Sequence, residues 1–264
     1  MQIIKIGGNE LDQPDFLAGL AQKVAAMKGP VVIVHGGGKA IAEMQTRLGI
    51  EPLKVDGLRV TDAASLTITQ MVLSGHTNKL IVTALLRAGV NAIGLSGVDG
   101  GLLQCQKRLH PTADLGFVGE VIQVRTDVLN ALLAHGMVPV ISPVSVEMAT
   151  GQVYNVNADD AAAALALALH AQQLTFISNV PGVLNPQGQL YPHLTPSQTE
   201  SLIQQTTIHG GMIPKTRAAL DVVQKGVPQV RITNLDGLLS GGTTFAAGSW
   251  PLAASESYKP TANG

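Results

Sequence analysis

Four positions in this chain, three cationic and one a cluster of amides and carboxylates, sit where ordinary folding has little use for them, and the three cations suit the handling of anions. Lys5 lies within residues 1–8, Met-Gln-Ile-Ile-Lys-Ile-Gly-Gly, where Ile3, Ile4 and Ile6 read as a buried strand and Gly7 and Gly8 as a turn at its C-terminal mouth. Open α/β sheets bind ligands at that mouth, and a charge delivered there is costly unless an anion meets it. Glycines without a Cβ let backbone N–H groups come close to a phosphate, so strand, lysine and glycines together suggest a phosphate seat; a strand-end surface lysine and an ordinary turn would look the same. Lys215 follows Gly210-Gly-Met-Ile-Pro214 at the start of a helix expected over 216–225, where the helix dipole disfavours a cation, and this misplacement points to an anion nearby. Arg59, between Leu58 and Val60, is either snorkelling or aimed at a planar anion, for which its rigid fork suits a carboxylate. Residues 155–160, Asn-Val-Asn-Ala-Asp-Asp, gather two amides and two carboxylates ahead of the apolar helix of 161–169, and capping requires only one or two of them.

The elements that must hold these residues alternate between strand and helix. Pro14, with Asp12 as N-cap, opens a helix to about residue 27 that Gly29-Pro30 stops. The apolar strand 31–34 runs into His35-Gly36-Gly37-Gly38-Lys39 and a helix over 40–48, an arrangement that aims backbone N–H groups and a positive helix end at an anion. Ile33 and Ala40 break a Walker A reading, and Ile41 stands where a dinucleotide fingerprint needs its third glycine. His35 reads as a hydrogen-bonded loop histidine, not a base. Thr61 or Asp62 caps a helix from 63 towards Gly75, and a second helix spans 78–88. A strand at 91–96 ends in Ser96, whose surroundings fall short of a nucleophile elbow because Val98 replaces the last glycine. Residues 102–124 read as short strands and turns, an excursion over a site. A helix over 126–134 and a strand over 138–142, starting near Pro139, restore the alternation. Strand 174–178 leads into Asn179-Val-Pro-Gly182-Val, a helix covers 197–205, and the last strands lie at 230–234 and 243–246. Such alternation predicts an α/β fold with a mainly parallel sheet.

Composition narrows the function. Of 264 residues 45% are apolar and 13% charged, a well-buried globular chain. Aromatics at 3% and a net charge of −1 leave little for stacking on, or attracting, a nucleic acid. Cys105 is the only cysteine, which excludes a disulfide framework and a thiolate metal site within one chain and fits a reducing cytoplasm. No signal peptide is recognisable, the apolar run 161–171 is about half a membrane span, and the tail from 251 to 264 is expected to be disordered.

Lys5-Ile-Gly-Gly8, Val-Ile-Val-His-Gly-Gly-Gly38, Asp-Gly-Leu-Arg-Val-Thr61, Asn-Val-Asn-Ala-Asp159, Ser-Asn-Val-Pro-Gly-Val183 and Gly-Gly-Met-Ile-Pro-Lys215 occur in this order, and the ordered set resembles the amino acid kinase family, most closely its acetylglutamate kinase branch. The resemblance implies a three-layer α/β/α sandwich of the carbamate kinase-like type. Residues 1–171 would form a lobe for the acyl-amino acid and for dimerisation, and residues 172–250 a lobe for ATP. It further implies transfer of the γ-phosphoryl group to the side-chain carboxylate of N-acetyl-L-glutamate, with ATP and Mg²⁺ and no protein metal cage. Carried over by position, Lys5 would bridge the moving phosphoryl group, Lys215 would stand on the leaving-group side, and Asp159 would orient both lysines. Gly8, Gly36 and Gly37 would supply backbone N–H groups, while Arg59 and Asn155 would hold the substrate. Gly7, Ser178, Asn179 and Gly182 would line the nucleotide site. An attacking carboxylate is already ionised at neutral pH, so no general base is needed. Arginine-inhibited members carry an extra helix ahead of the first strand, and the chain's start in that strand leads to the expectation of an arginine-insensitive homodimer. Rival readings are a kinase for aminoadipate on a carrier protein, for which no basic cluster is evident, and a non-catalytic sensor on the same fold.

Overall fold

The computed structural model describes residues 1–8, 11–55 and 58–248. Strand alternation decides where the first lysine points. In Gln2–Ile6, Ile4 and Ile6 enter a hydrophobic cluster with Leu17, Leu20, Ile81 and Leu85, whereas Ile3 enters the opposite cluster with Ala161, Leu165, Leu220 and Val223. Successive side chains of a strand face opposite ways, so Lys5 shares the face of Ile3, towards the helix Ala158–Ala168.

Eight strands form one sheet in the order His193–Leu194, Thr243–Phe245, Gln229–Thr233, Gln173–Ile177, Gln2–Ile6, Val31–His35, Val138–Ser142, Ala92–Ser96. Only the pair Gln229–Thr233 and Thr243–Phe245 runs antiparallel among these described neighbours. The sheet is continuous across the expected lobe boundary, because Gln2–Ile6 pairs in register with Gln173–Ile177. Helices Pro14–Ala26 and Asn78–Arg87 cover one face, and Thr126–Ala134, Ala158–Ala168 and Met212–Gln224 the other. The result is the expected three-layer α/β/α sandwich with a mainly parallel sheet. Strands Val31–His35 and Val138–Ser142 lie inside the sheet and are almost wholly buried, as apolar runs covered on both faces must be.

Residues 102–124 do form a hairpin, Leu103–Lys107 with Val118–Val124, and it joins Val144–Val146 and Val153–Val156 in a small closed barrel. Three local expectations are corrected. Asp12 does not cap the first helix: Gln13 holds that position without a side-chain bond, and Asp12 instead pairs with Lys39. The helix over 40–48 begins earlier, at Gly38. The two helices expected at 63–75 and 78–88 are one helical run, in which Ala63–Thr69 passes through a π-helical segment, Gln70–Thr77, into Asn78–Arg87. Gly75 therefore breaks nothing; the surplus residues are absorbed by the wider π turn. No helix among the described residues is long and apolar enough to cross a membrane. The tail 251–264 lies outside the described residues.

Candidate active site

Two cavities open at the C-terminal mouth of the sheet and share Lys5, Gly8 and Asp159 in their walls. The first, about 270 Å³, adds Gly7, Ser178, Asn179 and Lys215. The second, about 340 Å³, adds the glycine loop at Gly36 and Gly37, together with Lys54, Arg59 and Asn155. Across the two, four cations face one carboxylate, Asp159, so the combined space is built for anions.

Each charged group is delivered by an identifiable local device. Asn157 Oδ1 accepts from the Asp159 backbone N–H at 2.7 Å, capping the helix Ala158–Ala168, and this fixes Asp159 in the first turn. Lys5, one alternation beyond Ile3, then meets it with Nζ 2.8 Å from Asp159 Oδ1. The contact is an ion pair without an aligned hydrogen bond, since Oδ1 is buried and accepts none. Asp160, the next residue, turns outward to Arg108 Nη1 at 2.8 Å, and Asn155 Nδ2 donates to Thr61 Oγ1 at 3.2 Å. The four polar residues of 155–160 thus have four separate tasks. Lys215, in the first turn of Met212–Gln224, donates from Nζ to Ser178 Oγ at 2.7 Å, whereas Asp159 pairs with Lys5.

The glycine turns meet backbone to backbone. A Cβ on Gly8 would lie 2.7 Å from the Gly37 nitrogen and 2.8 Å from the Gly38 nitrogen, and Gly36 N–H donates to the Ile6 carbonyl at 3.0 Å. No larger residue fits at position 8. Gly37 is crowded from the other side by Leu73 of the π segment, whose Cδ2 would sit 2.5 Å from a Cβ. Gly182, at φ +144, is placed apart from these turns, in a neighbouring cavity of about 490 Å³ with Val180, Leu184, Ile208 and Met212.

His35 is wholly buried beneath the loop. Its Nδ1 donates to the Gly36 carbonyl at 2.9 Å, and Nε2 accepts from Asn78 Nδ2 at 3.2 Å. Burial pushes its pKa down to about 4, so it stays neutral, and it lines neither cavity. Arg59 is half-buried, which lowers its pKa, and its Nη2 donates to the Gly38 carbonyl at 3.0 Å. Lys54 and Leu73 escape sequence reasoning. Lys54 lies in a short polar stretch without a motif, and Leu73 reads as an ordinary core leucine. Among the described residues no three His, Cys, Asp or Glu side chains gather to hold a metal ion.

Comparison with known proteins agrees with this geometry. Residues 1–234 match the model of the amino acid kinase family. The acetylglutamate kinase of Chloroflexus aurantiacus (strain ATCC 29366 / DSM 635 / J-10-fl) is 52% identical over 248 residues, covering 94% of this chain and 97% of its own. That of Roseiflexus sp. (strain RS-1) is 51% identical over 243 residues, covering 92% of each. Among solved structures, the carbamate kinase of Giardia superposes with a TM-score of 0.66 at 16% identity, over 94% of this chain and 99% of that one, a likeness of fold alone. With the ordered motifs, the sandwich and the paired cavities in agreement with these matches, the chain belongs to the amino acid kinase family.

Proposed function

We propose that the chain is an acetylglutamate kinase, transferring the γ-phosphoryl group of ATP to the side-chain carboxylate of N-acetyl-L-glutamate. The observation that carries this reading is the meeting of two cation-lined cavities at Lys5, Gly8 and Asp159. In the cavity with Arg59 and Asn155 lies the acyl-amino acid; in the cavity with Ser178 and Lys215 lie the ATP phosphates, and the cavity beside Gly182 receives the nucleoside. Substrate binding thus falls to residues 1–171 and nucleotide binding mostly to 172–250.

A carboxylate oxygen attacks the γ-phosphorus as the bond to the β-phosphate oxygen breaks, and ADP leaves. No proton has to be removed, so the work is to bring two anions into line and neutralise them. The Lys5 ammonium has three donors and a single carboxylate partner, Asp159, so donors remain for the moving phosphoryl group. Lys215 supports the leaving side, and the backbone N–H groups of Gly8 and Gly37 face the equatorial oxygens; that of Gly36, expected to join them, is taken by the Ile6 carbonyl, so Gly36 serves by letting the turns approach. Mg²⁺ would enter largely on phosphate oxygens and water, because Asp159 is the single carboxylate in the cavity walls. A role in arginine biosynthesis, a cytoplasmic setting and a homodimer go with this reading, supported by the family resemblance and, for the compartment, by the lone buried thiol of Cys105.

The test is formation of a hydroxylamine-trappable acyl phosphate with ATP and Mg²⁺, offering N-acetyl-L-glutamate beside glutamate, aspartate and N-acetyl-aminoadipate. Turnover of N-acetyl-L-glutamate alone, reduced about a hundredfold in Lys5→Ala, is expected. Silence on all four with ATP still bound overturns the reading.

A further inference from the structure

The guanidinium of Arg59 is held entirely by neutral acceptors. Nη1 donates to Gln45 Oε1 at 3.1 Å and Nη2 to the Gly38 carbonyl at 3.0 Å, and among the described residues no carboxylate pairs with it. Gln45 lies in the helix Gly38–Arg47, 1% exposed, an unusual place for a glutamine unless its amide is engaged. Both of its ends are. Its Nε2 donates to Ser65 Oγ at 2.8 Å. Ser65 in turn donates its backbone N–H to Asp62 Oδ1 at 2.7 Å, the helix cap that holds that carboxyl below its usual range. Because a guanidinium can only donate, Gln45 must turn its amide oxygen to Arg59, and the amide nitrogen is then left to donate to the Ser65 hydroxyl.

This chain of contacts has a chemical consequence. It removes the rotamer freedom of a long side chain before any ligand arrives, and it does so without cancelling the positive charge. The remaining N–H donors of Arg59 stay directed at the cavity, with full charge, for a bidentate partner. A glutamate at position 45 would hold the fork equally well and neutralise it.

We propose that Gln45 is the positioning residue that sets affinity for the substrate's α-carboxylate: held by the Ser65 hydroxyl, it locks the Arg59 fork while leaving its charge uncompensated. This rests on the reading of Arg59 as the carboxylate clamp, and the experiment separates the two. Steady-state kinetics are measured for Gln45→Glu, Gln45→Met and Arg59→Ala, varying N-acetyl-L-glutamate and ATP in turn. In Gln45→Glu, the KM for N-acetyl-L-glutamate is expected to rise by about tenfold or more, with much smaller changes in the KM for ATP and in kcat. Gln45→Met, which loses the restraint but adds no charge, is expected to raise the same KM only several-fold. The thermal shift produced by saturating N-acetyl-L-glutamate should fall in the same order. A purely structural role predicts the reverse ranking, with the Arg59-paired carboxylate of Gln45→Glu tolerated and the apolar replacement worse. An unchanged KM in Gln45→Glu, beside a raised one in Arg59→Ala, overturns the inference; an unchanged KM in Arg59→Ala overturns the reading beneath it.

Discussion

At the scale of single residues the site is a problem in anion repulsion, and its cations divide the work by position. Lys5 stands where the two cavities meet, and Lys215 stands on one side only. Lys5→Ala should therefore lower kcat by about a hundredfold, the usual cost of removing one donor aimed at developing charge, with little change in either KM. Lys215→Ala should lower kcat and also raise the KM for ATP, leaving that for N-acetyl-L-glutamate in place. Equal effects of both variants on both KM values would contradict the assignment of sides. The two lysines are legible in the sequence because each conflicts with its local element, one a charge in an apolar strand, the other a cation at a helix start. Gln45 and Lys54 create no such conflict. A glutamine in an amphipathic helix looks the same whether its face meets water or a neighbouring serine, and Ser65 comes 20 residues later in the chain. Arg108, the partner of Asp160, is 52 residues from it. Contacts of that separation belong to topology, which periodicity does not encode.

At the scale of elements, the decisive feature is that two glycine turns from different strands touch. Because a Cβ on Gly8 would strike backbone atoms of Gly37 and Gly38, no side-chain rotation can relieve it. Gly8→Ala should force the turns apart, destabilising the protein by about 1–3 kcal/mol. It should also lower kcat by more than that loss alone would suggest, through misaimed N–H groups. Gly136→Ala is the fitting control: its φ of +68 makes alanine strained, but nothing lies within 4 Å, so a cost of about 1 kcal/mol in urea unfolding with unchanged kcat is expected. A Gly8→Ala enzyme with native kcat would show that the turns do not place the reacting groups. Strand–glycine–helix order makes this element readable from sequence. The π segment is not, since a periodic apolar pattern interrupted near Gly75 is equally consistent with two helices. What joins them is the packing of Leu73 under Gly37 and the hydrogen bond, 2.8 Å, between the hydroxyls of Ser74 and Ser142.

At the scale of the whole molecule, the sheet order cannot be derived from strand lengths, yet it explains why a buried histidine influences the stability of the entire fold. Val31–His35 is an interior strand, and its last residue is anchored through Asn78, whose Nδ2 also donates to the Val140 carbonyl at 2.9 Å in the next strand. The ammonium of Lys79 donates to Asn78 Oδ1 at 2.9 Å, so the charge nearest His35 is itself positive. Protonating His35 would thus place a cation in a wholly buried, amide-lined site beside another cation. Its pKa of about 4 in the folded chain lies below the ordinary 6.5, so between these values the unfolded chain binds the additional proton. Stability from this group is fully present above about pH 6.5, declines as pH falls through that window, and levels off below about 4, with a slope of up to about 1.4 kcal/mol per pH unit. Urea midpoints measured from pH 7.5 down to 4.5 should fall more steeply for the native chain than for His35→Gln, which cannot titrate. The variant should be the less stable of the two at neutral pH and lose that disadvantage on acidification. Parallel curves over the window would mean that His35 accepts its proton in the folded state, and that the Gly36 and Asn78 contacts do not hold it neutral.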